Sequence, residues 1–166
     1  MAAQIAFMAL LGAVIGSFVS VVAHRVPLGE SIVAPRSRCP GCGTRVSAMD
    51  NVPILSYLAL RGRCRHCAER IPATYPLLEL GLAAAFVGVL LRFDDAFEIA
   101  LGAAFASTLA AVTLTDLEHR IIPNAILAVS AGIAVALVAI GDPGSAGERA
   151  ASAAAAFGVP LLVALP

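Results

Sequence analysis

Five uncharged stretches, residues 1–23, 80–91, 99–115, 121–141 and 150–166, divide this chain of 166 residues. A helix that crosses the hydrocarbon of a bilayer needs about 20 mostly apolar residues, and each stretch can supply one. The second reaches full length only if Glu79 lies inside it near one end, after a helix start at Pro76. Composition points the same way. The chain is 60% hydrophobic and 13% charged, with a mean hydropathy of +0.91, whereas soluble domains carry roughly a quarter charged residues. The expected fold is therefore an all-α integral membrane bundle of about five spans, which excludes a water-soluble globular enzyme. The first stretch has no basic residues before it, and His24 and Arg25 follow it. That order fits a retained helix better than a cleaved signal peptide.

The net charge is zero, but eight of the eleven arginines fall between His24 and Tyr75, against only Glu30, Asp50 and Glu69, so this insert carries net +5. Basic residues in short loops stay on the cytoplasmic side. With the insert inside, the inner loops hold nine arginines and the outer loops hold Arg92 and Arg149. The segment TDLEHRIIPN, residues 115–124, is then internal, and the turn GDPGSAGER, residues 141–149, is external. The predicted organisation is a first transmembrane helix at 1–23, a cytoplasmic domain at 24–75 and a membrane core at 76–166. Small residues fill several spans, as in ALGAAFASTLAAVTLT at 100–115, and Gly12 and Gly16 form a GxxxG step; such residues let helix backbones approach closely in lipid.

All four cysteines lie in the basic insert as two CxxC pairs, Cys39 with Cys42 and Cys64 with Cys67, separated by 21 residues. This is close to the spacing of tetrahedral zinc sites, in which each CxxC aims two thiolates at one ion. Gly41 and Gly43 allow the backbone to turn its amides toward the sulfurs, and Arg36, Arg38, Arg45, Arg63 and Arg65 are placed to offset the thiolate charge. Two disulfides are the alternative and require an oxidising compartment, which conflicts with a cytoplasmic insert. His66 sits inside the second pair and reads as solvent-facing. A closed shell of four sulfurs leaves no position for a reacting water, so the metal is structural. Arginine-rich ribbons also bind nucleic acid, but this insert has only Tyr57 and Tyr75 as aromatics, and topology already accounts for its charge; no nucleic-acid partner is expected.

Asp116 follows seventeen uncharged residues and opens a polar turn. Ionisable groups at a membrane edge are functional suspects, and two carboxylates sharing a proton can act as base and acid on a water that attacks a peptide bond. The bland alternative is an acid that marks a helix end. Glu118, His119 and Arg120 read as polar residues near headgroups, Pro123 and Asn124 as a turn into the next helix, and Glu79 as a structural acid, snorkelling or paired with an arginine of the insert.

Three segments together, GSFVSVVAHRVP at 16–27, SRCPGCGTRVSAMDNVPILSYLALRGRCRHCAERIPATYPLLEL at 37–80, and TDLEHRIIPN, closely resemble the type IV prepilin peptidase family, aspartic peptidase family A24. The resemblance implies a polytopic enzyme of the bacterial inner membrane. Such enzymes remove the short basic leader of type IV prepilins and type II secretion pseudopilins, then methylate the new N-terminus with S-adenosylmethionine. It further implies that Asp116 is the first of two catalytic aspartates, that Cys39, Cys42, Cys64 and Cys67 bind Zn2+, and that Gly62 stands where the family has a glycine implicated in methyl transfer. Expected partners are a prepilin or pseudopilin and membrane lipid; Glu30, Asp50 or Glu118 would meet the basic leader. The pattern departs at one place. The family's second aspartate lies in a GxGD motif, and none occurs here; Asp142 is the only later aspartate, and topology places it on the outer face. The expectation is a C-terminally truncated peptidase that does not cleave alone, with a non-proteolytic methyltransferase or a structural zinc-domain protein of pilus or secretion assembly as alternatives.

Overall fold

The computed structural model describes residues 1–145 and 147–149. It contains four long helices, α1 Ala2–Arg25, α3 Thr74–Arg92, α4 Ala96–His119 and α5 Asn124–Gly141, and a short α2, Leu55–Ala59, inside the polar insert. Among the described residues there is no β-structure beyond two isolated bridges, Arg38 with Arg45 and Arg63 with Arg70. The four long helices, the first prolonged by a 3-10 turn to Leu28, are each long and apolar enough to cross a membrane, with mean hydropathies from 1.7 to 2.4. The fifth expected span, at 150–166, lies outside the described residues.

Local chemistry sets the helix boundaries. At the end of α1, Pro27 and Gly29 close the helix, Gly29 at φ 68°, with the Glu30 amide reaching back to Arg25 O at 3.0 Å. Asp95 caps α4 by accepting from the amides of Phe97 and Glu98 at 2.8 and 3.2 Å, which satisfies donors that a helix start leaves unpaired. Arg120 ends α4 in the left-handed conformation at φ 54°, and Pro123 follows it. Glu79 lies inside α3 near its N-terminal end, and Pro76 sits in that helix's first turn.

Helix directions follow from the close contacts. A Cβ on Gly12 would lie 2.5 Å from Leu82 O and one on Gly16 2.7 Å from Glu79 Cα, so α1 and α3 run antiparallel with their backbones in near contact. Gly102 faces Val89, and Gly141 faces Phe97, so α4 is antiparallel to both α3 and α5. Met8, Val19, Leu82, Phe86, Ala111 and Ile126 form the small buried core. Large apolar side chains such as Phe7, Phe18, Phe105 and Val135 face outward, as lipid-facing residues do. The ends at Arg25, Thr74, His119 and Asn124 therefore share one side of the bundle, the side on which residues 26–73 fold. The ends at Arg92, Ala96 and Gly141 share the other.

Candidate functional site

The insert between α1 and α3 is organised by two knuckles of the same construction. In the first, the Cys39 amide donates to Thr44 O, Gly43 to Cys39 O and Val46 to Ser37 O. In the second, offset by 25 residues, Cys64 donates to Glu69 O, Ala68 to Cys64 O and Ile71 to Gly62 O. Gly43 and Ala68 occupy equivalent left-handed positions, at φ 69° and 59°. The sequence carries no repeat recognisable by eye because only the frame Arg-Cys-x-x-Cys-x-x-Arg is shared.

The two knuckles face each other and bring one sulfur from each cysteine within 4.8 Å of the others, with those of Cys39 and Cys67 3.6 Å apart. Sulfurs bound tetrahedrally to an ion at about 2.3 Å stand about 3.8 Å apart, whereas a disulfide needs about 2.05 Å. The four cysteines are free thiols, and the donor set fits a metal ion. Electrostatics favours the same conclusion. Thr44, through its hydroxyl 3.3 Å from the sulfur and its amide, lowers the Cys42 thiol to about 6. The amides of Cys67 and His66 lower Cys64. At Cys67 the Glu69 amide acts in the lowering direction, but loss of water and the three neighbouring sulfurs outweigh it and push the thiol up to about 12. The cluster therefore resists a full set of negative charges until a cation joins it.

Arg65 does not serve the sulfurs as expected from the sequence. It grips Asp50 instead, with Nε 3.1 Å from both carboxylate oxygens and a terminal nitrogen 2.6 Å from Oδ1, and holds Asp50 below the usual carboxylate range. This pair ties the linker between the knuckles to the second one. His66 is exposed, and its amide lies 3.5 Å from Cys64 Sγ.

Gly62 is buried at φ 66°, and a Cβ there would stand 2.9 Å from both Cζ and Oη of Tyr57. Tyr57, Arg61, Arg63 and Arg70 border a groove of about 520 Å³ beside it. Asp116 lies in the last turn of α4, on the same side of the bundle as the knuckles. The inward position of this turn belongs to Thr115, which is fully buried, and Asp116, the acid at the membrane edge, is exposed. Asp142 follows α5 at the opposite end; at 1.5 Å per residue, 18 helical residues separate the two ends by about 27 Å.

Glu79 links the insert to the bundle, but through a backbone partner that the sequence does not reveal. Glu79, only 8% exposed, pairs with no arginine among the described residues; its Oε2 accepts from the Ile54 amide at 2.7 Å. Ile54 sits at φ 61°, ψ −52°, in a three-residue γ-turn closed by the Leu55 amide on Pro53 O.

A family model described as the bacterial peptidase A24 N-terminal domain matches residues 10–93. The prepilin leader peptidase/N-methyltransferase of Myxococcus xanthus is 44% identical over 132 residues, covering 78% of this chain and 39% of that protein. The same name belongs to relatives in Burkholderia pseudomallei, 36% identical across 74% of this chain and 48% of theirs, and in Bacillus subtilis, 39% identical across 71% and 48%. The chain thus spans between 39% and 48% of the length of these relatives. No solved structure matches it.

Proposed function

The chain belongs to the bacterial A24 peptidase family, and from that premise we propose that it forms the N-terminal part of a prepilin leader peptidase/N-methyltransferase of the bacterial inner membrane. In this reading residues 1–23 are the first span, residues 24–75 a cytoplasmic zinc domain, and residues 76–166 part of the transmembrane peptidase core. Its substrates are type IV prepilins or pseudopilins. The observation that carries the reading is the 44% identity to the Myxococcus xanthus enzyme across 78% of this chain.

Cys39, Cys42, Cys64 and Cys67 hold a structural Zn2+, which fixes the two knuckles against each other. S-adenosylmethionine, when bound, supplies a methyl group for the new N-terminus. Gly62 keeps the floor of the arginine-lined groove open for it: any side chain there displaces Tyr57. Asp116 is one of two carboxylates that share a proton. Ionised, it takes a proton from the attacking water; protonated, it gives one to the leaving amine. Its partner is not Asp142, which the fold holds at the far end of α5.

The test pairs this chain with the C-terminal portion of the Myxococcus xanthus relative and a prepilin peptide with a basic leader. The fused protein is expected to cleave and methylate, and the 166-residue chain alone not to cleave. Asp116→Asn abolishes cleavage but leaves methylation of an already cleaved peptide. Cleavage that survives Asp116→Asn overturns the assignment.

A further inference from the structure

We propose that His24, Glu118 and His119 form a second metal site, for a divalent transition ion of the zinc class, where α1 and α4 end on the side of the zinc knuckles. One ligand atom from each residue lies within 4.8 Å of the others. Glu118 and His119 are neighbours on α4, but His24 comes from α1, more than ninety positions earlier in sequence, so the fold brings it to them. The two imidazole rings are 6.4 Å apart between centroids and tilted by 44°. Two imidazoles bound tetrahedrally to one ion at about 2.0–2.1 Å put their ring centroids about 5 Å apart, so side-chain rotations that bring the rings about 1 Å closer complete the site.

A second, independent observation concerns His119 alone. Its Nε2 is buried and has no hydrogen-bond partner among the described residues; Glu118 Oε2 at 3.8 Å is too distant for a hydrogen bond. Buried polar atoms without partners are rare, and this one belongs to a ring already grouped with His24 and Glu118. Arg25, the nearest cation in sequence to His24, is drawn away by a 2.9 Å bond to Ser31 O. The donor set of two imidazoles and one carboxylate suits zinc-class ions and leaves a coordination position for water. This site therefore exchanges its ion more readily than the closed four-sulfur centre. An ion here ties the ends of α1 and α4 together at the level of Asp116.

The inference does not depend on peptidase activity. Its test is a Co2+ titration of the purified full chain in detergent. Cobalt in the thiolate centre gives intense sulfur-to-metal charge-transfer absorption, whereas cobalt held by imidazole and carboxylate gives only weak ligand-field bands. Two ions per chain are expected at saturation, the tighter with the thiolate signature and the weaker without it. His24→Ala, an exposed position, and His119→Ala should each abolish binding of the second ion and leave the thiolate bands intact. Saturation of the unmodified chain at the thiolate ion alone overturns the proposal, as does a full second equivalent bound by both histidine variants. Loss of the thiolate bands with retention of the second ion counts against the zinc knuckle and supports this site.

Discussion

Removing the Glu79 side chain should detach the insert from the bundle locally without unfolding the membrane helices. Glu79 Oε2 is the partner of the Ile54 amide at 2.7 Å, and Ile54 holds a positive-φ γ-turn conformation that a β-branched residue adopts only under constraint. An unsatisfied buried donor costs about 1–3 kcal/mol, and the strained backbone stores about 1–3 kcal/mol that is released once the constraint goes. Taking about 2 kcal/mol as the loss in local stability, hydrogen exchange across residues 52–58 should accelerate by about 30-fold in Glu79→Ala, because each 1.4 kcal/mol is a factor of ten. Glu79→Gln keeps an acceptor oxygen in place and should lose less than about 1 kcal/mol, roughly fivefold or under. Ile54→Gly, which removes the Cβ conflict, should not accelerate exchange comparably. Exchange followed by mass spectrometry in nanodiscs measures all three. Equal rates for Glu79→Ala and the unmodified chain would refute the reasoning, as would an unmodified segment that exchanges like free peptide.

Gly12→Val places its Cβ 2.5 Å from Leu82 O and should destabilise the bundle by about 1–3 kcal/mol in mixed-micelle unfolding; Gly81→Ala, where an added Cβ meets nothing, should be neutral or slightly stabilising. Metal binding near neutral pH should release protons, seen as a buffer-dependent binding enthalpy, because Cys67 at about 12 is still a thiol there and must ionise to bind. Cys42, depressed to about 6, is already a thiolate above that value and becomes a thiol below it, so its support for the metal is lost as the pH falls through 6. Chelator competition as a function of pH should show affinity falling more steeply on that acid side. Gly62→Ala, which puts a Cβ against the Tyr57 ring, should reduce S-adenosylmethionine binding in calorimetry while metal content stays unchanged.

The helical architecture was legible because the bilayer imposes a length that uncharged stretches either meet or miss, and residues 1–23 and 121–141 meet it plainly. The four-cysteine cluster was legible for a similar reason: CxxC spacing restricts where two sulfurs can point. What escaped the sequence depends on contacts between distant segments. Nothing local forces Ile54 into a positive-φ γ-turn, so the sequence could not reveal that Glu79, 25 positions away, holds it there. Proximity in sequence points Arg65 at the sulfurs, yet Asp50 is a better partner because both its carboxylate oxygens accept from the guanidinium. The equivalence of the knuckles was hidden because Ala68 adopts the backbone angle that Gly43 advertises. His24 and His119 each looked like an isolated polar residue at a helix end; only the parallel course of α1 and α4 makes them neighbours.

X-ray absorption at the zinc edge, on purified chain supplied with one equivalent of zinc, tests most directly whether the two knuckles close on a metal. The account requires four sulfur ligands at about 2.3 Å. Zinc that fails to bind, a shell rich in nitrogen or oxygen, or cysteines recovered as disulfides would contradict it.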